Sequence, residues 1–165
     1  MQDLDFDMKA PLLSWDVFCG TYNTLMKDAE KYQQSVQQMK QIAKVNLWSK
    51  EQLNEALKSI RQFVIVITDP AQQIAFTGPG FEEMTGYSAE EAYGRNPKFL
   101  QGPTTNKKNT QTIKQQLTNN KVSETVLENY RKDGKLYLCK IIIKPVVNIR
   151  KQLVNYIAYE QEIAA

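Results

Sequence analysis

The side chains best suited to chemistry are scarce in this chain. It has no histidine, which removes a phospho-accepting histidine, a Ser-His or Cys-His nucleophile pair and any imidazole metal ligand. Its two cysteines, Cys19 and Cys139, stand far apart and in no metal-ligand spacing. Carboxylates and lysines remain, but no paired-carboxylate motif and no Gly-x-x-x-x-Gly-Lys-Ser/Thr loop organises them. The expectation is therefore no catalytic residue and no metal site. What remains is recognition by polar side chains. The run Gly94-Arg95-Asn96-Pro97-Lys98-Phe99-Leu100-Gln101-Gly102-Pro103 sets two amides and a lysine between turn residues. Such groups either face a ligand or satisfy the backbone of their own loop.

Bulk properties bound the partners. A chain of 165 residues suits one compact domain plus an appendage. A formal charge of +3 with no dense basic run argues against direct nucleic-acid binding, and Lys107-Lys108 is only a pair. No apolar stretch approaches the roughly 18 residues needed to cross a bilayer. The acidic start, Met1-Gln2-Asp3-Leu4-Asp5-Phe6-Asp7, lacks the basic-then-apolar order of a signal peptide. These features together lead to the expectation of a reduced, cytoplasmic protein away from membranes.

The elements that must position the polar groups fall into two regions that meet near Arg61. Tyr22, Leu25, Ala29, Tyr32, Val36, Met39 and Ala43 recur at alternating spacings of three and four, with no glycine or proline from Thr21 to Lys44. That is one long amphipathic helix with a heptad seam. The seam packs either on its own domain or against a second subunit. Ser49, with Gln52 three positions on, reads as a capping box for a second helix striped by Leu53, Ala56, Leu57 and Ile60.

Beyond Arg61 the rhythm becomes mixed. Phe63–Ile67 is a continuous apolar, β-branched run, read as a buried strand. A turn through Asp69-Pro70 leads to a second strand, Ile74–Thr77, and Gly78-Pro79-Gly80 breaks the chain. Short helices follow at Phe81–Met84 and Ala89–Ala92, and a longer one at Lys107–Leu117. Three strands close the series: Val122–Tyr130, Lys135–Ile143 and Val154–Ile163. Asp133-Gly134 fits a tight hairpin turn between the first two of them. The class is α+β, an antiparallel sheet with helices grouped on one side. Strand parity sets Tyr137, Cys139, Ile141 and Ile143 on one face, with Lys140 and Lys144 on the other, and it aligns Tyr156, Ala158 and Glu160.

Phe81-Glu82-Glu83-Met84-Thr85-Gly86-Tyr87-Ser88, followed by Glu90-Glu91, resembles the F-x-x-x-T-G-Y-S segment of PAS domains. Gly94–Pro103 and Asn129-Tyr130-Arg131-Lys132-Asp133-Gly134 add two matches at that family's spacing, and Gly94–Pro103 resembles its flavin-binding LOV branch. The likeness covers Gln62 to Ile163. The chain also resembles short bacterial proteins that join a leading helical segment to one PAS domain.

The resemblance implies a five-stranded PAS fold over residues 62–165, preceded by a helical extension over residues 1–61 that dimerises or transmits a signal. It implies a sensory module that takes a small-molecule ligand or a partner, pairs as a homodimer through the N-terminal helices and hands its signal to a separate output protein. A ligand-free interaction module and a cysteine-less flavin sensor are the alternatives. In the LOV branch the position of Pro97 is the cysteine that bonds photoexcited flavin, so adduct photochemistry is not expected.

The cofactor stays open. Flavin mononucleotide is the branch's ligand, and its contacts carry over position by position. Asn96 and Gln101 match ribityl contacts, and Asn129 matches a ring-edge contact. Lys98 and Lys114 replace phosphate-clamping arginines and lose the planar fork. Cys139 replaces a second ring-edge asparagine, and Glu160 replaces the glutamine that reports the flavin's redox change. At about 0.5–1.5 kcal/mol per lost neutral hydrogen bond, these changes lower flavin affinity by orders of magnitude. Each position also has a plainer reading: Cys139 as a small core residue, Glu160 as a solvated strand-end carboxylate, Lys98 and Lys114 as surface lysines. A Lys98–Glu160 pair inside the pocket is a further expectation.

Overall fold

The structure is a computed structural model; it describes residues 11–164, with side chains from residue 19 onward. The acidic N-terminal heptapeptide lies outside the described residues. The chain divides into two compact units, Met1–Gln34 and Ser35–Ala165. In the first, the described residues belong to helix α1 (Pro11–Val45). Its apolar residues Tyr22, Leu25 and Met26 are exposed. The helix runs through Gly20, whose carbonyl accepts from the Thr24 hydroxyl one turn on.

The second unit begins within α1. Met39 and Ala43, the last two members of the seam, are buried. Leu47 stops the helix at φ +56, and the Trp48 amide reaches back to the Ala43 carbonyl at 2.9 Å. That is a Schellman ending with leucine in the left-handed position that glycine usually takes. Helix α2 (Lys50–Ser59) then starts from the capping box foreseen at Ser49 and Gln52.

Five antiparallel strands follow: β1 (Val64–Thr68), β2 (Ile74–Thr77), β3 (Ser123–Tyr130), β4 (Leu136–Val147) and β5 (Leu153–Ile163). They lie in the order β2-β1-β5-β4-β3. Between β2 and β3 come α3 (Phe81–Thr85), α4 (Ala89–Ala92), a 3₁₀ turn (Pro97–Leu100) and α5 (Lys107–Thr118). Pro97 occupies the first position of the 3₁₀ turn, where its missing N–H is no loss.

Alternation sorts the sheet into two faces. Val66, Leu127, Tyr137, Cys139, Ile141 and Ala158 form one core with Phe81, Met84 and Leu100 from the short helices and the 3₁₀ turn. The opposite parity, Ile65, Ile67, Ile157 and Tyr159, is also buried, as are Met39, Ala43, Trp48, Ala56 and Ile60. Glu55 of α2 pairs with Lys144 on that second face. So the short helices take one side, as foreseen, while the end of α1 and α2 cover the other.

Asn155 ties this second layer to the sheet. Its Oδ1 accepts from Trp48 Nε1 at 2.9 Å and Asn46 Nδ2 at 2.7 Å, and its Nδ2 donates to the Thr68 carbonyl at 3.0 Å. Strand β4 runs four residues beyond the Ile143 end expected, through Pro145. The pairing with β3 stops at Ser123↔Ile143. Past that point, among the described residues, β4 has β5 as its only strand neighbour, the edge position in which proline is tolerated.

Candidate functional site

A cavity of about 150 Å³ lies between the first sheet face and the segment running from the 3₁₀ turn to α5. Val66 and Thr68 reach it from β1, Leu127 and Asn129 from β3, Ile141 and Ile143 from β4, and Tyr156, Ala158 and Glu160 from β5. These are the inward parities of four strands, so the pleat itself aims them at one space. Pro97, Leu100, Ile113 and Leu117 close it from the other side.

Six of the seven positions singled out in the sequence line this space: Asn96, Lys98, Gln101, Lys114, Asn129 and Glu160. Cys139 does not. It is fully buried in the adjoining core, and burial pushes its thiol pKa well above the ordinary range. Asn96 Oδ1 accepts from the Lys98 amide at 3.1 Å and so caps the 3₁₀ turn, which is the loop-supporting role. Gln101 forms an isolated bridge with Asn129, pinning the loop to the end of β3. Lys98 and Lys114 are exposed.

Glu160 departs from the reading of a solvated strand end. It is 3 % exposed, because β5 continues past it and neighbours stand on both sides, Val64 of β1 and Ile141 of β4. Burial raises its carboxyl pKa to about 7, against a small opposing effect of the Cys139 thiol. That thiol, 3.9 Å from Oε2, is a weak donor. The expected pair with Lys98 is absent: among the described residues Glu160 takes part in no ion pair. The amine of an exposed lysine is better solvated in water than beside a buried carboxyl.

Two more polar atoms on the lining lack a partner. Asn129 Oδ1 and Thr68 Oγ1 are buried with no hydrogen bond. Thr68 was missed in the sequence, although its shared parity with Val66 places it on the same face. Buried groups left this way cost roughly 1–3 kcal/mol each, and a ligand that satisfies them recovers that energy.

Flavin mononucleotide meets only part of this wall. The free Asn129 Oδ1 suits a ring N–H. A buried carboxyl in place of an amide, a thiol outside the lining and two solvated lysines do not reproduce the remaining contacts. The volume also falls below the roughly 300–1,000 Å³ of drug-sized ligand pockets. The residues present do not fit the flavin as the LOV branch holds it. A 150 Å³ apolar cavity is instead about the size that accommodates benzene.

A profile of the PAS domain matches residues 61–165. The "Bacterioopsin transcriptional activator" of Halobacterium salinarum is 27% identical over 165 residues, covering 98% of this chain and 24% of that protein. The "Blue-light photoreceptor" of Listeria monocytogenes is 38% identical over 92 residues, 54% of this chain and 36% of that protein. The chain thus spans well under half the length of either relative. Among solved structures, the dark structure of the Aureochrome1 LOV domain superposes with a TM-score of 0.63 at 30% identity, covering 68% of this chain and 83% of that one. The LOV domain of the EL346 blue-light-activated histidine kinase from Erythrobacter litoralis gives 0.59 at 25% identity, with 63% and 98% covered.

Proposed function

The chain belongs to the PAS domain family, in its LOV-like branch, and is a sensory signalling module; from that premise we propose that it senses by occupancy of the cavity between the sheet and α5. The observation that carries this reading is the set of unpartnered buried oxygens on the lining, Asn129 Oδ1 and Thr68 Oγ1, beside the unpaired Glu160. A filled core that served only to pack would have no use for them. Asn96, Lys98, Gln101 and Lys114 border the same space, and Cys139 lies in the adjoining core.

Signalling in this reading avoids a cysteine–flavin adduct. By the resemblance to the LOV branch, Pro97, which carries no thiol, takes the reactive position, and Cys139 is off the lining. The ligand's effect instead passes from Thr68, whose carbonyl holds Asn155, to Asn46 and Trp48 at the end of α1. Occupancy shifts the balance between two packings of the helical segment, residues 1–61, against the sensory domain, residues 62–165. PAS and LOV domains generally signal to output partners and often dimerise. The proposal extends this to a bacterial, cytoplasmic homodimer joined through its N-terminal helices and coupled to a separate output protein. No helix among the described residues is long and apolar enough to cross a membrane.

A second reading, a ligand-free interaction module, is favoured by the exposed Tyr22, Leu25 and Met26 on α1. The visible spectrum of the purified protein, with mass spectrometry of what denaturation releases, separates the readings. A stoichiometric non-flavin molecule is the expected result. A blue-absorbing flavin band would restore the flavin sensor. Neither signal, together with no ligand-induced shift in Tm across a small-molecule panel, would leave the interaction module.

A further inference from the structure

The three most buried polar side chains on the cavity wall, Glu160, Asn129 and Thr68, carry oxygens that no ion pair and no strong hydrogen bond satisfies. Asn129 Oδ1 makes no hydrogen bond, and the Tyr137 phenol opposite it on β4 is likewise buried and unpartnered. Glu160, when ionised, only accepts, and the group hydrogen-bonded to it is a thiol 3.9 Å away, a weak donor. The Thr68 hydroxyl adapts to either role. Val66, Leu100, Ile113 and Ile141 supply hydrocarbon to the same space, which Gln101, Thr110 and Tyr156 also border. A molecule that satisfies this wall brings several N–H donors on a compact apolar body.

The geometry points to a small organic cation, a primary amine on a benzene-sized apolar body, as the ligand of this cavity, with its ammonium against Glu160 and Asn129. An ammonium carries three donors and no acceptor, and a buried carboxylate without a cation is the costliest group on the wall. This rests on the ligand-sensing reading above and specifies the class of ligand.

The ionisable groups around Glu160 decide whether a cation is tolerated. From β4, Cys139 and Tyr137 face it, and burial raises both their pKa values, so both are neutral. From β1, its neighbours Val64 and Val66 are apolar. The 3₁₀ turn and α5 bring Lys98 and Lys114 to the lining, both exposed. Water and salt screen those two charges, whereas the buried carboxylate acts through a lower dielectric, where the same charge is felt several times more strongly. The attraction outweighs the repulsion.

Amine binding then carries a proton signature. With a carboxyl pKa of about 7 in the free protein, Glu160 is mostly protonated at pH 6 and mostly ionised at pH 8. A cation binds the ionised form, so affinity rises about tenfold across that interval and levels off above it. Near pH 7 binding releases a fraction of a proton.

Isothermal titration of the full chain with benzylamine, and with benzyl alcohol as its neutral isostere, tests this. The expected result at pH 8 is at least tenfold preference for benzylamine, lost at pH 6. Titrations near pH 7 in buffers of different ionisation enthalpy should show proton release. Glu160→Gln should abolish the preference and the release while benzyl alcohol binds unchanged. The wild-type pH series stands alone if that variant fails to fold. Equal affinity for the two probes, or preference for the alcohol, overturns the cation assignment while the ligand-sensing reading stands. Binding of neither overturns the cation assignment and counts against ligand sensing as well.

Discussion

At the scale of single residues, Glu160 links burial to pH. Its folded pKa of about 7 lies above the 4.5 of a free carboxyl, so between those values the folded protein holds a proton that the unfolded chain has released. Stability therefore falls as pH rises through that window and is flat above it. The shift corresponds to about 3 kcal/mol. Urea unfolding should find the wild type less stable at pH 8 than at pH 4.5 by up to that amount. Glu160→Gln should remove most of the difference. An equal pH dependence in both proteins would place the titrating group elsewhere. The burial that causes this was hidden in the sequence, where a carboxylate three residues before a strand end reads as solvated. Only the pairing of β5 with β1 on one side and β4 on the other encloses it.

At the scale of elements, the join between the helices and the sheet depends on Asn155. Replacing it with leucine removes the acceptor of the Trp48 indole N–H and the Asn46 amide and the donor to the Thr68 carbonyl. Asn155→Leu should cost roughly 2–4 kcal/mol, read by urea unfolding followed through tryptophan emission. A change within 0.5 kcal/mol would show that this contact does not hold α1 to the sheet. Elements written in local code were legible before the structure: the Ser49–Gln52 box, the Asp133-Gly134 turn and the parity of β4 and β5. Features set by distant pairing were not. Leucine in the left-handed position at residue 47 has no sequence signature, and Pro145 reads as a strand breaker until β3 is known to end opposite Ile143. The candidate site was legible only in part. Matching positions along the chain brought six lining residues together, but whether each is buried or solvated depends on packing from other elements.

At the scale of the whole molecule, the seam of α1 divides the open question from the sequence in two. Met39 and Ala43 are buried in the unit that carries the sheet, while Leu25 and Tyr22 are exposed, at 63 % and 53 %. The homodimer proposed above should therefore depend on the earlier residues. Leu25→Glu should give a monomer by light scattering with an unchanged Tm, and an unchanged dimer mass would remove α1 from the interface. The overhanging tail of β4 has a different consequence. Leu136–Val147 is the longest strand of the fold, largely apolar and interrupted by Lys140, Lys144 and Pro145. Where β3 has ended, Lys144 and Pro145 border an open edge of the kind that recruits other chains into fibrils. They act as gatekeepers against aggregation. Pro145→Val should leave native stability within about 1 kcal/mol, yet shorten the lag before thioflavin fluorescence rises in mild urea. An unchanged lag would mean that Lys144 alone keeps this edge from seeding.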